Sequence, residues 1–172
     1  MSKKYELTSD FITVFGRKLF RIKALISFGN VLEGEIGGYI EDEKNLDQSD
    51  NAWVYGNAKV CGDAEVYGNA WVCGDAWVYG DAKVYGDAKV CGNAEVYGNA
   101  SYTTIKGFGT RFRTTTFFRC KDKFVRVACG CFYGTIDEFR KQVKETRSGK
   151  VAEEYILIAD LMEKHFKTEN ED

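Results

Sequence analysis

The sequence predicts a mainly β protein built around a parallel β-helix, with a β-hairpin head before it and a small α/β unit after it. Three observations lead to this fold class. From Ala52 to Asn99 the chain repeats a hexapeptide eight times without an insertion, and a fixed six-residue period is typical of a parallel β-helix. Two strand-like segments precede the repeat, and two helix-like segments close the chain. We therefore divide the chain into a head at 1–33, a repeat region at 34–100 and a C-terminal α/β unit at 101–172.

Each hexapeptide reads Ala-x-Val-(Tyr/Cys)-Gly-(Asn/Asp), and each position has a physical role. Val is β-branched and suits a strand, while the Ala two residues earlier points to the same face. We expect this face to line the interior, because a narrow coil admits only a small side chain at the Ala position. Gly followed by Asn or Asp tolerates the positive φ of a corner. One hexapeptide is therefore predicted to form one short strand and one bend.

Written as Val-(Tyr/Cys)-Gly-(Asn/Asp)-Ala-x, the unit resembles the hexapeptide-repeat superfamily. The resemblance implies a left-handed three-sided parallel β-helix, in which three hexapeptides make one coil and residues 18 apart stack. Val, Asn or Asp, and Ala match the inward aliphatic, corner and inward small positions of that superfamily, whereas Tyr or Cys departs from its pattern. Self-association into trimers is common in the superfamily, so we expect a homo-oligomer.

The segment before the repeat is predicted to close one end of the β-helix. Residues 11–15 and 19–24 are strand-like on either side of a Gly-containing loop, which indicates a hairpin. Between this hairpin and the repeat we expect a degenerate first coil over 34–51. By its six-residue phase, this coil places Ile40 and Leu46 in the inward position that Ala occupies later.

After the repeat the six-residue period stops. Residues 112–119 and 124–129 are strand-like around a Lys-Asp-Lys turn and predict a second hairpin. The Thr-Ile-Asp-Glu motif beginning at Thr135 is a capping box and predicts the start of a helix. The two helices are expected over about 135–146 and 150–167. This α/β unit closes the other end of the β-helix, carries the function, or does both.

Composition and chain length limit the classes of protein to consider. The 172 residues are 44% hydrophobic and 29% charged, which fits one folded domain with a small appendage. No apolar run approaches the ~18 residues of a membrane-spanning helix, and the first residues lack the apolar core of a secretory signal. We therefore expect a cytoplasmic protein without a membrane partner. In that reducing compartment the six cysteines are predicted to be free thiols.

Catalytic and metal sites are not predicted. The only histidine is His165, on the terminal helix, whereas acyltransferases of the superfamily use a histidine to deprotonate the acceptor. Three zinc histidines, as in its carbonic-anhydrase branch, are not present. Cys120, Cys129 and Cys131 lack the spacing and number of a structural zinc site. We predict no catalytic residue, no metal and no cofactor; an acyltransferase that uses His165 across a subunit boundary is the alternative.

Outward aromatic residues form one candidate binding surface. With a stack every 18 residues, Trp53 lies under Trp71, while Trp77, Tyr79 and Tyr97 fall in other columns. Such columns can be structural ladders, because stacked side chains support coils about 4.8 Å apart. A surface this aromatic is also typical of an interface with another protein. These five residues are therefore the candidate interface aromatics.

The second hairpin forms the other candidate surface. Residues 101–134 carry seven basic groups and one acidic group, interleaved with phenylalanines. Basic residues among aromatics can hold single-stranded nucleic acid or a nucleotide, although a solvated hairpin with core phenylalanines is an open alternative. The candidate partner-binding residues are Arg111, Arg113, Arg119, Lys121, Lys123 and Arg126.

Three functions are open from the sequence. The first is a non-catalytic binding protein that acts on a host protein or ribonucleoprotein. The head resembles that of phage and prophage hexapeptide-repeat proteins in two motifs, Lys-Tyr-Glu-Leu-Thr at 4–8 and Gly-Gly-Tyr-Ile-Glu at 37–41. This resemblance suggests inhibition of a host defence nuclease such as a CRISPR effector, in the cytoplasm of the host cell. The alternatives are a hexapeptide-type acyltransferase and an oligomeric sponge for a small anionic nucleotide signal.

Overall fold

The structure, a computed structural model, describes residues 3–167 and is organised around a β-solenoid of about three turns. An antiparallel hairpin covers the first turn, and a four-stranded antiparallel sheet with two helices covers the last. The predicted mainly β fold with a β-helix is thereby confirmed. Within 3–167, neither helix combines the length and the hydropathy that a bilayer crossing requires.

The predicted head hairpin is present and consists of β1 (Tyr5–Val14) and β2 (Arg17–Ala24), with β1 beginning six residues before the segment predicted at 11–15. Its turn consists of Phe15 and Gly16, which both have positive φ, 49° and 78°. A turn with two consecutive residues of positive φ matches the right-handed twist of the flanking strands. The hairpin is therefore tightly closed, and it carries a bulky phenylalanine at its tip.

β3 (Ile36–Ile40) joins the head to the solenoid, because it pairs antiparallel with β2 and parallel with a solenoid strand. Trp53 lies under this junction and is fully buried. Its ring centroid is 6.0 Å from that of Tyr5 and 5.4 Å from that of Phe28. The prediction of Trp53 as an outward interface aromatic is therefore wrong, because the head covers the outer face of the solenoid at this column.

Eight two-residue strands form the solenoid, one in each hexapeptide. Each pairs in parallel with the strand 18 residues away, so Val60 lies beside Val78 and Val78 beside Val96. Backbone N–H groups of one coil donate to carbonyl groups of the next, for example Cys61 to Val78 at 3.0 Å. The strands are β4 (Trp53–Val54), β5 (Lys59–Val60), β6 (Glu65–Val66), β7 (Trp71–Val72), β8 (Trp77–Val78), β9 (Lys83–Val84), β10 (Lys89–Val90) and β11 (Glu95–Val96).

The interior of the solenoid contains the alanine and valine of every hexapeptide, each at most 1% exposed. This confirms the predicted inward face. The corners turn at glycines with positive φ, for example 71° at Gly62. A side chain there would be strained, which explains why the repeat keeps this residue unchanged.

The first coil is two residues longer than the others. Ile40 pairs with Val60, and Leu46 bridges to the valine 20 residues ahead rather than 18. Both side chains therefore occupy the valine position, and the prediction that they take the alanine position is wrong. Gly38 takes the alanine position instead, where an added Cβ would lie 2.6 Å from the carbonyl oxygen of Ala58.

Outward side chains at equivalent positions stack across coils, and one such pair is covalently joined. Cys73 and Cys91 form a disulfide, with their Cα atoms 4.5 Å apart. In-register parallel coils bring equivalent Cα atoms to a separation within the range that a disulfide can span. The prediction of six free thiols is wrong for this pair. The free cysteines are Cys61, Cys120, Cys129 and Cys131.

The C-terminal unit is larger than the predicted hairpin, because two further strands flank it. The inner strands match the prediction, but the Thr-rich strand before them and the short strand after them lack a clear apolar alternation. All four pair antiparallel in chain order. The strands are β12 (Tyr102–Phe108), β13 (Arg113–Arg119), β14 (Val125–Cys129) and β15 (Phe132–Thr135). The helices are α1 (Ile136–Thr146) and α2 (Gly149–Phe166), and the 3-10 turns are Glu43–Asn45 and Asn99–Ser101.

This sheet closes the last coil on one face and carries the helices on the other. Phe118 packs into the solenoid core, whereas Phe117 packs under the helices. The Thr116 hydroxyl accepts a hydrogen bond from the Lys89 amide at 3.1 Å, so an N–H of the last coil is satisfied by the sheet. The predicted capping box at the start of α1 is confirmed, since Thr135 Oγ1 accepts from the amide of the third helical residue at 3.2 Å.

Replacing the buried tryptophan should separate its structural role from that of its stacked neighbour. We expect Trp53→Ala to lower the free energy of unfolding by about 3–5 kcal/mol, because it leaves a cavity under the head. Trp71 occupies the equivalent position one coil later and is half-buried, so Trp71→Ala should lower the free energy of unfolding by only about 1 kcal/mol. Urea denaturation of both variants measures the difference. Equal losses would contradict the assignment of Trp53 to the core.

The head also buries a lysine. The Lys4 ammonium donates to the carbonyl oxygens of Asp50 at 2.8 Å and Ala52 at 3.0 Å. Burial lowers the pKa of Lys4 from 10.5 to about 8, although the nearby carboxylates of Asp47 and Asp50 act in the opposite direction. The folded protein therefore releases a proton that the unfolded chain still holds between these two pH values.

Stability should consequently rise with pH in that window as far as Lys4 contributes, because the unfolded state binds more protons there. Between pH 8 and 10.5, wild type should gain up to about 3 kcal/mol of unfolding free energy relative to Lys4→Met. Lys3→Met is the control, since that side chain is exposed and pairs with Glu43. Urea denaturation across the pH series measures both differences, and a pH-independent gap for Lys4→Met would refute the shift.

Candidate functional site

The tip of the head hairpin overhangs the outer face of the solenoid, and the two enclose a recess of about 600 Å³. This volume lies in the range of known ligand sites. We call it the aromatic recess. Its lining comes from the tip of the hairpin, from β8 and β11, and from the segments that follow β5 and β8. The lining residues are Val14, Phe15, Arg17, Cys61, Gly62, Asp63, Trp77, Tyr79, Gly80, Asp81 and Glu95.

A parallel pair of aromatic rings marks one wall of the recess. The Phe15 ring lies 5.4 Å from the Trp77 ring between centroids, with 7° between their planes. Phe15 is nevertheless 86% exposed, and its φ of 49° places a bulky residue in the left-handed region. Backbone strain of this kind concentrates at functional sites. Sequence reasoning missed Phe15, although a large apolar residue directly before a turn glycine was the available signal.

Tyrosines extend the aromatic surface away from this pair. The ring of Tyr79 lies 4.9 Å from that of Trp77 and 6.1 Å from that of Tyr97, which is 55% exposed. The Tyr79 hydroxyl donates to Glu95 Oε1 at 3.0 Å, and the Trp77 indole N–H donates to Cys61 Sγ at 3.4 Å. These two bonds fix the orientation of the aromatic rings. Burial and the Glu95 carboxylate raise the pKa of Tyr79 to about 12, so the phenol remains protonated at neutral pH.

The predicted aromatics do not form one surface. Trp77, Tyr79 and Tyr97 lie together on one side of the solenoid, as adjacent columns require. Trp71 lies on another stack, where it contacts Tyr55 at 5.3 Å between ring centroids and the ammonium of Lys89 at 5.7 Å from its own centroid. Trp53 is buried under the head, so only three of the five candidates contribute to the aromatic recess and its rim.

The six basic candidates are divided between the two ends of the C-terminal sheet. Arg111 lies in the turn before β13 and Arg113 begins that strand, whereas Lys121 and Lys123 lie at the turn after it. Seven residues of extended strand separate these turns by roughly 20 Å. The six residues therefore do not make a single basic patch. Of the four, Lys121 approaches the aromatic recess, with its Nζ 5.9 Å from the centroid of Trp77.

The remaining two basic candidates are engaged within the molecule. The Arg119 guanidinium donates to the carbonyl oxygen of Phe166 and lies over its ring, 5.5 Å from the centroid. It thereby binds a free carbonyl at the end of α2. Arg126 forms an ion pair with Asp122 and lies 5.7 Å from the Phe124 centroid. Both side chains thus hold parts of the C-terminal unit together.

The single histidine lies outside the aromatic recess. His165 is exposed in the last turn of α2, with its ring centroid 5.0 Å from that of Phe166. The Cys129 thiol accepts a hydrogen bond from Thr115 at 3.1 Å. Across residues 3–167 no three His, Cys, Asp or Glu side chains are grouped to hold a metal ion.

Comparison with protein-family models and with the curated proteins gives no match.

Two of the arginines named as partner-binding should behave differently on substitution. Arg119→Ala should lower the free energy of unfolding by about 1–2 kcal/mol, because it removes the bond to Phe166 and the contact with its ring. Arg111→Ala, at an exposed turn, should stay within about 0.5 kcal/mol of wild type. Thermal and urea denaturation measure both values. A neutral Arg119→Ala would mean that this side chain is available to a partner.

Proposed function

We propose that the protein is a non-catalytic binding protein that holds a macromolecular partner, a host protein or ribonucleoprotein, at the aromatic recess. The observation that carries the proposal is the Phe15–Trp77 pair. A ring that is 86% exposed on a left-handed backbone adds little to the packing of the isolated chain. Large aromatic side chains at a recess are, however, the usual anchors of protein interfaces.

Preorganisation of the recess supports the same function. The Trp77 and Tyr79 side chains are each fixed by a hydrogen bond, and the strands beneath them are bonded coil to coil. A partner that contacts these rings therefore loses little free energy to ordering them. A rigid solenoid with an aromatic face suits recognition of a large surface, since its columns lie at fixed spacing.

We also propose that the solenoid is a left-handed three-sided β-helix of the hexapeptide-repeat kind and that the protein forms a homo-oligomer in the cytoplasm. Three two-residue strands in each 18-residue coil and the fully buried alanines support this architecture. The resemblance of the head to phage and prophage proteins supports a host macromolecule as the partner. An inhibitor of a host defence nuclease is one protein of this type.

The proposal is tested by capture from a host-like lysate followed by native mass spectrometry. Wild type should retain a discrete protein or ribonucleoprotein, and the double variant Phe15→Ala/Trp77→Ala should lose it, because both anchors of the recess are removed. Phe112→Ala is the matched control: it is also an exposed phenylalanine with positive φ at a hairpin turn, 66% exposed with φ 51°. Phe112→Ala should retain the same partner.

Circular dichroism and urea denaturation establish that the double variant is folded. Retention of the partner by a folded double variant would reject the aromatic recess as the binding surface. Loss of the partner in Phe112→Ala alone would place the surface on the C-terminal sheet.

A further inference from the structure

The charges around the aromatic recess are unevenly compensated. Asp63 and Asp81 occupy the same corner position in successive coils, so they lie in one column. The coils themselves are spaced about 4.8 Å apart. Lys44 pairs with Asp63 at 2.8 Å. Within residues 3–167, neither Asp81 nor Glu95 forms an ion pair. The recess therefore holds two carboxylates that lack an ion-pair partner among the described residues, and one of them, Glu95, accepts a hydrogen bond from the Tyr79 hydroxyl.

The positive groups near the recess are engaged elsewhere or approach only its aromatic wall. Arg17 donates to both carboxylate oxygens of Glu41 at 2.9 Å. Lys121 lies 5.9 Å from the Trp77 centroid and forms no ion pair with Asp81 or Glu95. An ammonium group is thus already attracted to the ring that lines the recess. Aromatic faces attract cations through their negative quadrupole, most strongly in tryptophan.

From this arrangement we propose that the aromatic recess takes the cationic end of a lysine or arginine side chain, within a basic segment of a partner protein. The inference rests on the proposed function and specifies its partner class. Trp77 and Tyr79 supply ring faces, while Asp81 and Glu95 supply the opposite charge. A recess of about 600 Å³ exceeds one side chain, so residues on either side of the lysine or arginine also enter it. An anionic ligand would instead meet two uncompensated carboxylates, which disfavours a nucleotide at this site.

The test uses capped peptides titrated into the full-length protein. Acetylated, amidated tetra-arginine and tetra-lysine are compared with tetra-glutamate by calorimetry and by the shift of the Trp77 indole N–H signal in ¹⁵N-labelled protein. That signal is assigned with Trp77→Phe. We expect the basic peptides to shift it and tetra-glutamate to leave it unchanged. Affinity should fall as ionic strength rises, because the carboxylates are solvent-accessible.

Three variants at the recess should then change the affinity for the basic peptides, two of them by weakening binding and one by strengthening it. Asp81→Asn and Glu95→Gln should each weaken binding of the basic peptides by about 3–10-fold, because each removes one attracting charge. Lys121→Ala should strengthen it by about 2–5-fold, because a competing ammonium near Trp77 is removed. Asp75→Asn is the matched control, an exposed aspartate at the same hexapeptide position in a different column, and should bind as wild type.

The outcomes separate this inference from the proposed function. Wild-type affinity in Asp81→Asn and Glu95→Gln, or a preference for tetra-glutamate, overturns the cationic occupant even if the Phe15→Ala/Trp77→Ala variant still loses its macromolecular partner. Absence of any shift at the Trp77 signal with basic peptides overturns it as well. Weakened binding in both carboxylate variants with an unchanged Asp75→Asn supports it.

Discussion

The structure depends on the backbone hydrogen bonds between successive coils. Each solenoid strand contains only two residues, too few to be stable alone, and the N–H groups of every coil before the last donate to carbonyl groups of the next coil. This pairing requires coils to lie in register, with alanine and valine inside every turn. It also leaves N–H and C=O groups unpaired at both ends, and β3 and Thr116 satisfy part of them at the first and last coils. Head and C-terminal sheet are thus requirements of the solenoid itself.

The same register determines which outward side chains contact each other, because side chains at equivalent positions of successive coils form a column. Equivalent positions become neighbours, so a cysteine pair becomes a disulfide and corner amides form a ladder. In that ladder Asn51 donates to Asn69 at 3.1 Å, and Asn69 donates to Asp87 at 3.1 Å. The aromatic recess has a similar origin, because Trp77 and Glu95 are neighbours in one column and Tyr79 lies in the next. Val14, Phe15 and Arg17 come from outside the repeat, at the tip of the head hairpin.

The repeat made the solenoid, its inward face and its columns predictable, because an unbroken period leaves few alternatives. Positions where a non-repeating segment meets the repeat were not predictable. Trp53 has the same hexapeptide position as Trp71, and its burial depends on Tyr5 and Phe28 in the head. The six-residue phase predicted Ile40 in the alanine position, whereas it occupies the valine position because the first coil is two residues longer. Phe15 entered the recess through tertiary folding of a hairpin, and Arg119 acquired its partner at the distant end of α2. The sequence marks Phe15 only as a large apolar residue before a turn glycine, and the contacts themselves depend on segments distant in the chain.

The longer first coil specifies how the repeats align with the head. Eight nearly identical hexapeptides can pair one coil out of register with little loss of hydrogen bonds or burial, a degeneracy typical of repetitive strands. The 20-residue spacing at Ile40 and the close fit of Gly38 against Ala58 occur once, and they are satisfied in a single alignment. Coils can therefore be added in order from the head, each using the previous one as a template. The head thus fixes the alignment of the first coil, on which the alignment of every later coil depends, and the C-terminal sheet covers the last one.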